Sequence, residues 1–175
     1  MLTRRAVLVA SAIVVVLGAS PGLGADAVPR DFRLTAEYYP ALPHLGVETS
    51  DARESYRWTL TIDAAGRAVQ ETQQSARGST KGIRTRSVRV ARRELEQLVA
   101  AVRASNFHFL APEYAFAVSS ASALVLRIAL DERYHEVTVY GPDRLKDDPE
   151  VAAFLRVWNQ TLRLVPPPNR GQGPE

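Results

Sequence analysis

The chain holds three histidines, His44, His108 and His135, and no two of them lie within four residues of each other. Local metal sites need closely spaced ligands, as in HxxH, HExxH or paired cysteines. None of these patterns occurs and there is no cysteine, so the sequence predicts neither a metal nor a cofactor. Ser119, Ser120 and Ser122 form a serine-rich stretch. No GxSxG elbow frames them, and no histidine stands nearby to take a hydroxyl proton. A triad can be assembled from distant residues, so a hydrolase stays open as an alternative. Asp131 and Glu132 fall on an expected hairpin tip, where water keeps carboxylates ordinary. Asp147-Asp148 is followed by Pro149-Glu150, a helix-capping pattern more than a calcium loop. Gly78-Ser79-Thr80-Lys81-Gly82 has glycines and a lysine but lacks the strand–loop–helix frame of a phosphate loop.

Positive charge is the one concentrated chemical feature. Arg77, Lys81, Arg84, Arg86, Arg89, Arg92 and Arg93 follow one another with no acid until Glu94. Arg84, Arg86, Arg89, Arg92 and Arg93 are the expected binding residues. Such a strip attracts anions over about 8–10 Å and weakens as salt rises. The same charges also suit an edge strand kept from pairing with its neighbours. The net charge of the whole chain is only +3, and no aromatics interleave the arginines, so nucleic acid is not an expected partner. An anionic envelope component (a lipopolysaccharide phosphate or an acidic lipid) or an acidic protein is. A second candidate is one strand face carrying Arg57, Thr59, Thr61, Arg127, Glu136, Thr138 and Tyr140. Those residue types fit glycan or peptide binding and equally a solvated sheet face.

The elements that position these residues follow from periodicity. Phe32, Leu34, Ala36 and Tyr38 alternate with polar neighbours over 31–39, as do Tyr56, Trp58, Leu60 and Ile62 over 56–62, the period of half-buried strands. A turn at Asp63-Ala64-Ala65-Gly66 sends the chain back through 67–74. Residues 75–82 read as a polar loop and 83–90 as a weaker strand. Leu95, Leu98, Val99 and Val102 make one apolar stripe, which predicts a helix over 92–104. Its Ala91 cap is weak, and Asn106 suits a left-handed stop. Residues 107–122 read as a long loop. Strands follow over 124–130, expected to be central, and 134–140, then a helix capped by Asp148. Tight hairpins and two one-sided helices predict a two-layer α+β domain, an antiparallel sheet of five to six strands with both helices on one face.

The N-terminus has the layout of an export signal: a basic start to Arg5, an apolar run Ala6–Ala19, a Ser20-Pro21-Gly22 break and a small-x-small site at Ala25-Asp26-Ala27. The run is shorter than the roughly 20 residues of a spanning helix. Arg4-Arg5 fits a twin-arginine signal as well as an ordinary secretory one. The expected division is a signal over 1–27, one domain over 28–165 and a disordered proline-rich tail over 166–175, with a periplasmic or secreted location and no membrane span once the signal is removed.

Residues 56–164 resemble a family of small exported bacterial domains with no assigned activity. The resemblance is carried by Thr61-Ile62-Asp63-x-x-Gly66-Arg67, Glu94-Leu95-x-x-Leu98-Val99, and Asn106-Phe107-x-x-Leu110 with Tyr114. The hairpin 124–140 and the closing helix also fit. Many relatives in that family carry a Cys-Phe-Gly-x-Cys-Pro segment before the first hairpin, which this chain lacks. The resemblance implies the fold and export and brings no activity. The expected function is a small non-catalytic binding or envelope-associated module, with a hydrolase or a structural accessory domain of an envelope complex as alternatives.

Overall fold

The computed structural model describes residues 27–40, 55–76, 79–116 and 121–167. The expected signal, His44, Ser119, Ser120 and the tail from residue 168 lie outside the described residues. Seven strands form one sheet: β1 (Arg33–Tyr39), β2 (Ser55–Asp63), β3 (Arg67–Ala76), β4 (Ser79–Arg89), β5 (Glu113–Ala115), β6 (Ala123–Leu130) and β7 (Arg133–Tyr140). Three helices accompany them: α1 (Arg92–Ala104), α2 (Pro142–Leu145) and α3 (Pro149–Leu164). The strand order is β4-β3-β2-β1-β6-β7-β5, antiparallel throughout except for the parallel β5–β7 pair.

Alternation explains the layering. Leu34 and Ala36 of β1 pair with Ile62 and Leu60 of β2, and with Ile128 and Leu126 of β6. These side chains turn to one face and are wholly buried. Leu95, Leu98, Val99 and Val102 of α1 and Val151, Phe154, Val157 and Trp158 of α3 join them in a single core. The two long helices therefore cover one face of the sheet, a two-layer α+β arrangement. Val28, just after the expected cleavage point, is buried in that core.

Two sequence expectations change. The sheet has seven strands, because β5 lies within the stretch expected to be a loop over 107–122. A three-residue strand is too short to show a period, and its parallel partner β7 lies far along the chain. Part of the expected polar loop 75–82 is strand, since β3 runs to Ala76 and β4 begins at Ser79. The register slips there: Gln73 pairs with Ile83 but Gln74 with Lys81, which leaves Gly82 as the extra residue of a β-bulge. The strand over 124–130 is interior, between β1 and β7, while β1 holds the midpoint of the sheet.

The connections are fixed by specific groups. Asp63 Oδ1 accepts from the backbone N–H groups of Ala65 and Arg67, closing the β2–β3 turn. Gly66 at φ +78° lies against Val90, and an added Cβ would stand 2.6 Å from the Val90 carbonyl oxygen, so only glycine fits. At α1 the Glu94 carboxylate reaches back to the Ala91 N–H, and Asn106 ends the segment in the left-handed region at φ 51°. Asp148 caps α3 by accepting from the N–H groups of Glu150 and Val151. The β6–β7 hairpin turns through two residues only, Asp131 and Glu132, both at positive φ. That is the backbone of a type I′ turn, normally made by Asn or Gly. Two outside contacts hold it: a two-pronged ion pair from Arg103 of α1 to Asp131, and the Glu132 N–H donating to Asp31. No described helix is long and apolar enough to cross a membrane.

Candidate functional site

Among the described residues, β4 is the outermost strand on its side and pairs only with β3. The register sorts its arginines. Arg84 pairs with Thr72 and Arg86 with Gln70, and Gln70 pairs in turn with the core residue Leu60. Arg84 and Arg86 therefore sit on the helix-covered face of the sheet, beyond the reach of the helices. Arg89 pairs with Arg67 and lies on the open face. All three β4 arginines are exposed. Arg92 and Arg93 follow in the first turn of α1, where Arg92 pairs with Glu96 at 3.0 Å. The five residues expected to bind are thus neighbours along the chain, divided between two faces of the sheet and a helix start.

This end of the sheet is electrostatically unbalanced. Among the described residues, no ion pair or hydrogen bond engages the side chains of Arg67, Arg84, Arg86, Arg89 or Arg93. Arg67 and Arg89 oppose each other directly, an arrangement of like charges that costs stability. The positive end of the α1 dipole adds to the same field. Ile83, 65% exposed, stands on the same strand.

The open face carries a different arrangement. Arg57, Thr59, Thr61, Arg127, Glu136, Thr138 and Tyr140 all lie on it, as their parity predicts. Its centre is Glu37, only 8% exposed. Arg127 donates to Glu37 and to Glu136, Arg57 donates to Glu37 and to Tyr39, and the Tyr39 hydroxyl donates to Glu37. Burial alone would raise the Glu37 pKa, but the hydrogen bonds from Tyr39 and Arg127 outweigh it and hold the carboxyl below its ordinary range. Burial and the Glu37 carboxylate push the Tyr39 hydroxyl up. Two carboxylates meet two guanidinium groups, so the network is neutral and internally satisfied. Sequence reasoning placed Glu37 and Tyr39 on the outward parity of β1 but did not count them in this face. The strand order, which sets β1 between Arg57 and Arg127, is what unites them.

The histidines serve the other edge of the sheet. His135 Nε2 lies 2.8 Å from the Leu110 carbonyl oxygen, and the His108 and His135 rings stand 6.5 Å apart. The His135 bond so ties the segment 107–110 to β7, with Phe107 edge-on to both rings. The Thr138 N–H donates to the Pro112 carbonyl and continues the seam into β5. Burial is the main cause that depresses the His108 pKa, and its Nε2 is buried with no hydrogen-bond partner. Neither imidazole is bonded to a serine or a carboxylate among the described residues, and no group of three or more metal-ligating side chains occurs there.

One groove of about 390 Å³ opens where Tyr38, Trp58 and Leu124 meet α3. Its floor is the Trp58–Trp158 pair, with centroids 5.5 Å apart, and both indoles are almost fully buried in the core. Asp143, Lys146 and Asn159 stand at its rim. It is a largely apolar recess whose lining also carries one acid and one base, Asp143 and Lys146. No protein-family model matches the chain, and no curated protein matches it.

Proposed function

We propose that this protein is an exported, non-catalytic binding module that docks a negatively charged partner on the edge formed by β4 and the start of α1. The observation that carries the reading is the set of exposed arginines that no acid engages among the described residues, on a strand that pairs there on one side only. The N-terminal signal pattern and the resemblance of residues 56–164 to small exported domains support the location. His108 and His135, neither bonded to a serine or a carboxylate among the described residues, give a hydrolase less support than the arginines give a docking surface. A structural accessory role would use the same edge with a permanent partner.

Polyglutamate and vesicles rich in acidic phospholipid are suitable probes. The protein is expected to bind at least one of them at low salt and to release it as ionic strength rises, because screening shortens the reach of exposed charges. Changing Arg84, Arg86 and Arg89 together to Ser is expected to abolish binding while leaving the thermal midpoint close to wild type. A wild-type protein that ignores both probes at low salt overturns the reading.

A further inference from the structure

The ladder fixes which backbone groups of β4 have no strand partner among the described residues. The Val90 N–H donates to the Gly66 carbonyl at 2.8 Å, so Val90 and Gly66, in line with the β3–β4 register, form a hydrogen-bonded pair. Hydrogen-bonded and non-bonded pairs alternate in an antiparallel ladder. Arg84, Arg86 and Val88 therefore direct their N–H and C=O groups toward β3. Ile83, Thr85, Ser87 and Arg89 direct theirs away from the sheet. The edge offers four consecutive donor–acceptor positions to whatever lies alongside.

The arginines flank those positions on both sides, Arg84 and Arg86 on the helix-covered face and Arg89 on the open one. A flat anionic surface meets such charges only edge-on and leaves the backbone groups to water. An added strand satisfies both sets at once. Its main chain pairs with the free groups, and its side chains, alternating between faces, bring carboxylates to arginines above and below the sheet plane. A second copy of this chain is a poor occupant, because β4 against β4 sets arginine against arginine. We infer that the β4 edge accepts an extended, acidic segment of a partner protein as an eighth strand. The inference rests on the docking edge proposed above and names its partner.

A synthetic peptide alternating Glu with Thr is the probe, with its Gln-for-Glu counterpart as control. Binding of the Glu peptide is expected to slow amide exchange at Ile83, Thr85, Ser87 and Arg89, with little change at the already bonded Arg84, Arg86 and Val88. Thr85→Pro removes an outward N–H while leaving every arginine and the β3 ladder in place. It is expected to weaken the peptide by about tenfold or more, since a proline at the edge both lacks the donor and crowds the incoming strand. The exchange pattern of the wild-type protein decides the matter even if that variant folds poorly. Peptide binding with no slowing at the four outward amides overturns the strand and leaves a charge-only docking edge standing. Binding to acidic vesicles but not to the peptide replaces the strand with a membrane surface. Binding to neither removes the docking edge itself.

Discussion

At the β7 edge the chain folds back on its own strand. β5 pairs with residues 138–140, and the His135 imidazole ties the segment 107–110 to the remainder. At the β4 edge no other described strand pairs with it, and arginines stand beside its outward backbone groups. Both are answers to the same hazard, since unpaired strand edges invite unwanted pairing. Covering an edge makes it part of the core; charging it keeps it open and selects what can approach. The covered edge holds fold-critical residues, and the charged edge holds residues the fold can lose.

That contrast is tested most severely by truncation. Phe107 is fully buried beneath the covered edge, and Phe107→Ala is expected to cost about 3–5 kcal/mol, as large aromatic truncations in cores do. Ile83→Thr on the charged edge is expected to stay within about 0.5 kcal/mol of wild type. Denaturant midpoints measure both, and similar losses at the two positions would erase the distinction.

A smaller effect sharpens it at the β6–β7 turn, where the covered edge begins. Glu132 sits at φ 61°, a conformation that disfavours side chains carrying a Cβ. Glu132→Gly keeps the backbone N–H that reaches Asp31 and is expected to gain about 1 kcal/mol. A lowered thermal midpoint would mean that the Glu132 side chain contributes more than its strain.

The least effect is a pH response confined to the covered edge. Burial lowers the His108 pKa below 6.5, with His135 and Arg133 acting in the same direction and Asp131 and the Arg133 backbone bond against it. The folded state therefore favours neutral imidazole. Its contribution is complete above the unfolded pKa of about 6.5 and is lost as pH falls toward the folded value. Glu37 and Asp131, both held low in the folded state, act in the same sense but from their own ordinary values, 4.5 and 3.8, downward. Stability measured between pH 7.5 and 5 is expected to decline gently in wild type and to be flatter in His108→Gln. Parallel curves for the two proteins would remove His108 as the cause.

Much of this architecture was legible one element at a time. The stripe of Leu95, Leu98, Val99 and Val102 located α1 to the residue, and Asp148-Pro149-Glu150 located the start of α3, because caps and stripes are local signals. β5 was not legible, since three residues carry no period and their partner is distant. The tie between His135 and the 107–110 segment was hidden for the same reason. The division of the basic strip was present in the sequence as parity: Arg84 and Arg86 share one and Arg89 has the other. Reading the strip as a single charged surface overlooked it. The Glu37 network needed the strand order, which no single segment contains.

That strand order also governs time. β1 is the first described strand and the middle of the sheet, and Glu37 reaches Arg127 across 90 residues. Its neighbour β2 arrives early, but β6 arrives only after β3, β4, α1 and β5. Pairing across so long a separation must close a large loop before it gains contacts, which slows folding. Until β6 is present, one side of β1 is itself a raw edge, with Leu34 and Ala36 uncovered. The chain is thus built to stay incomplete until nearly all of it has emerged, and a molecule interrupted before Leu130 would be expected to aggregate rather than to fold in part.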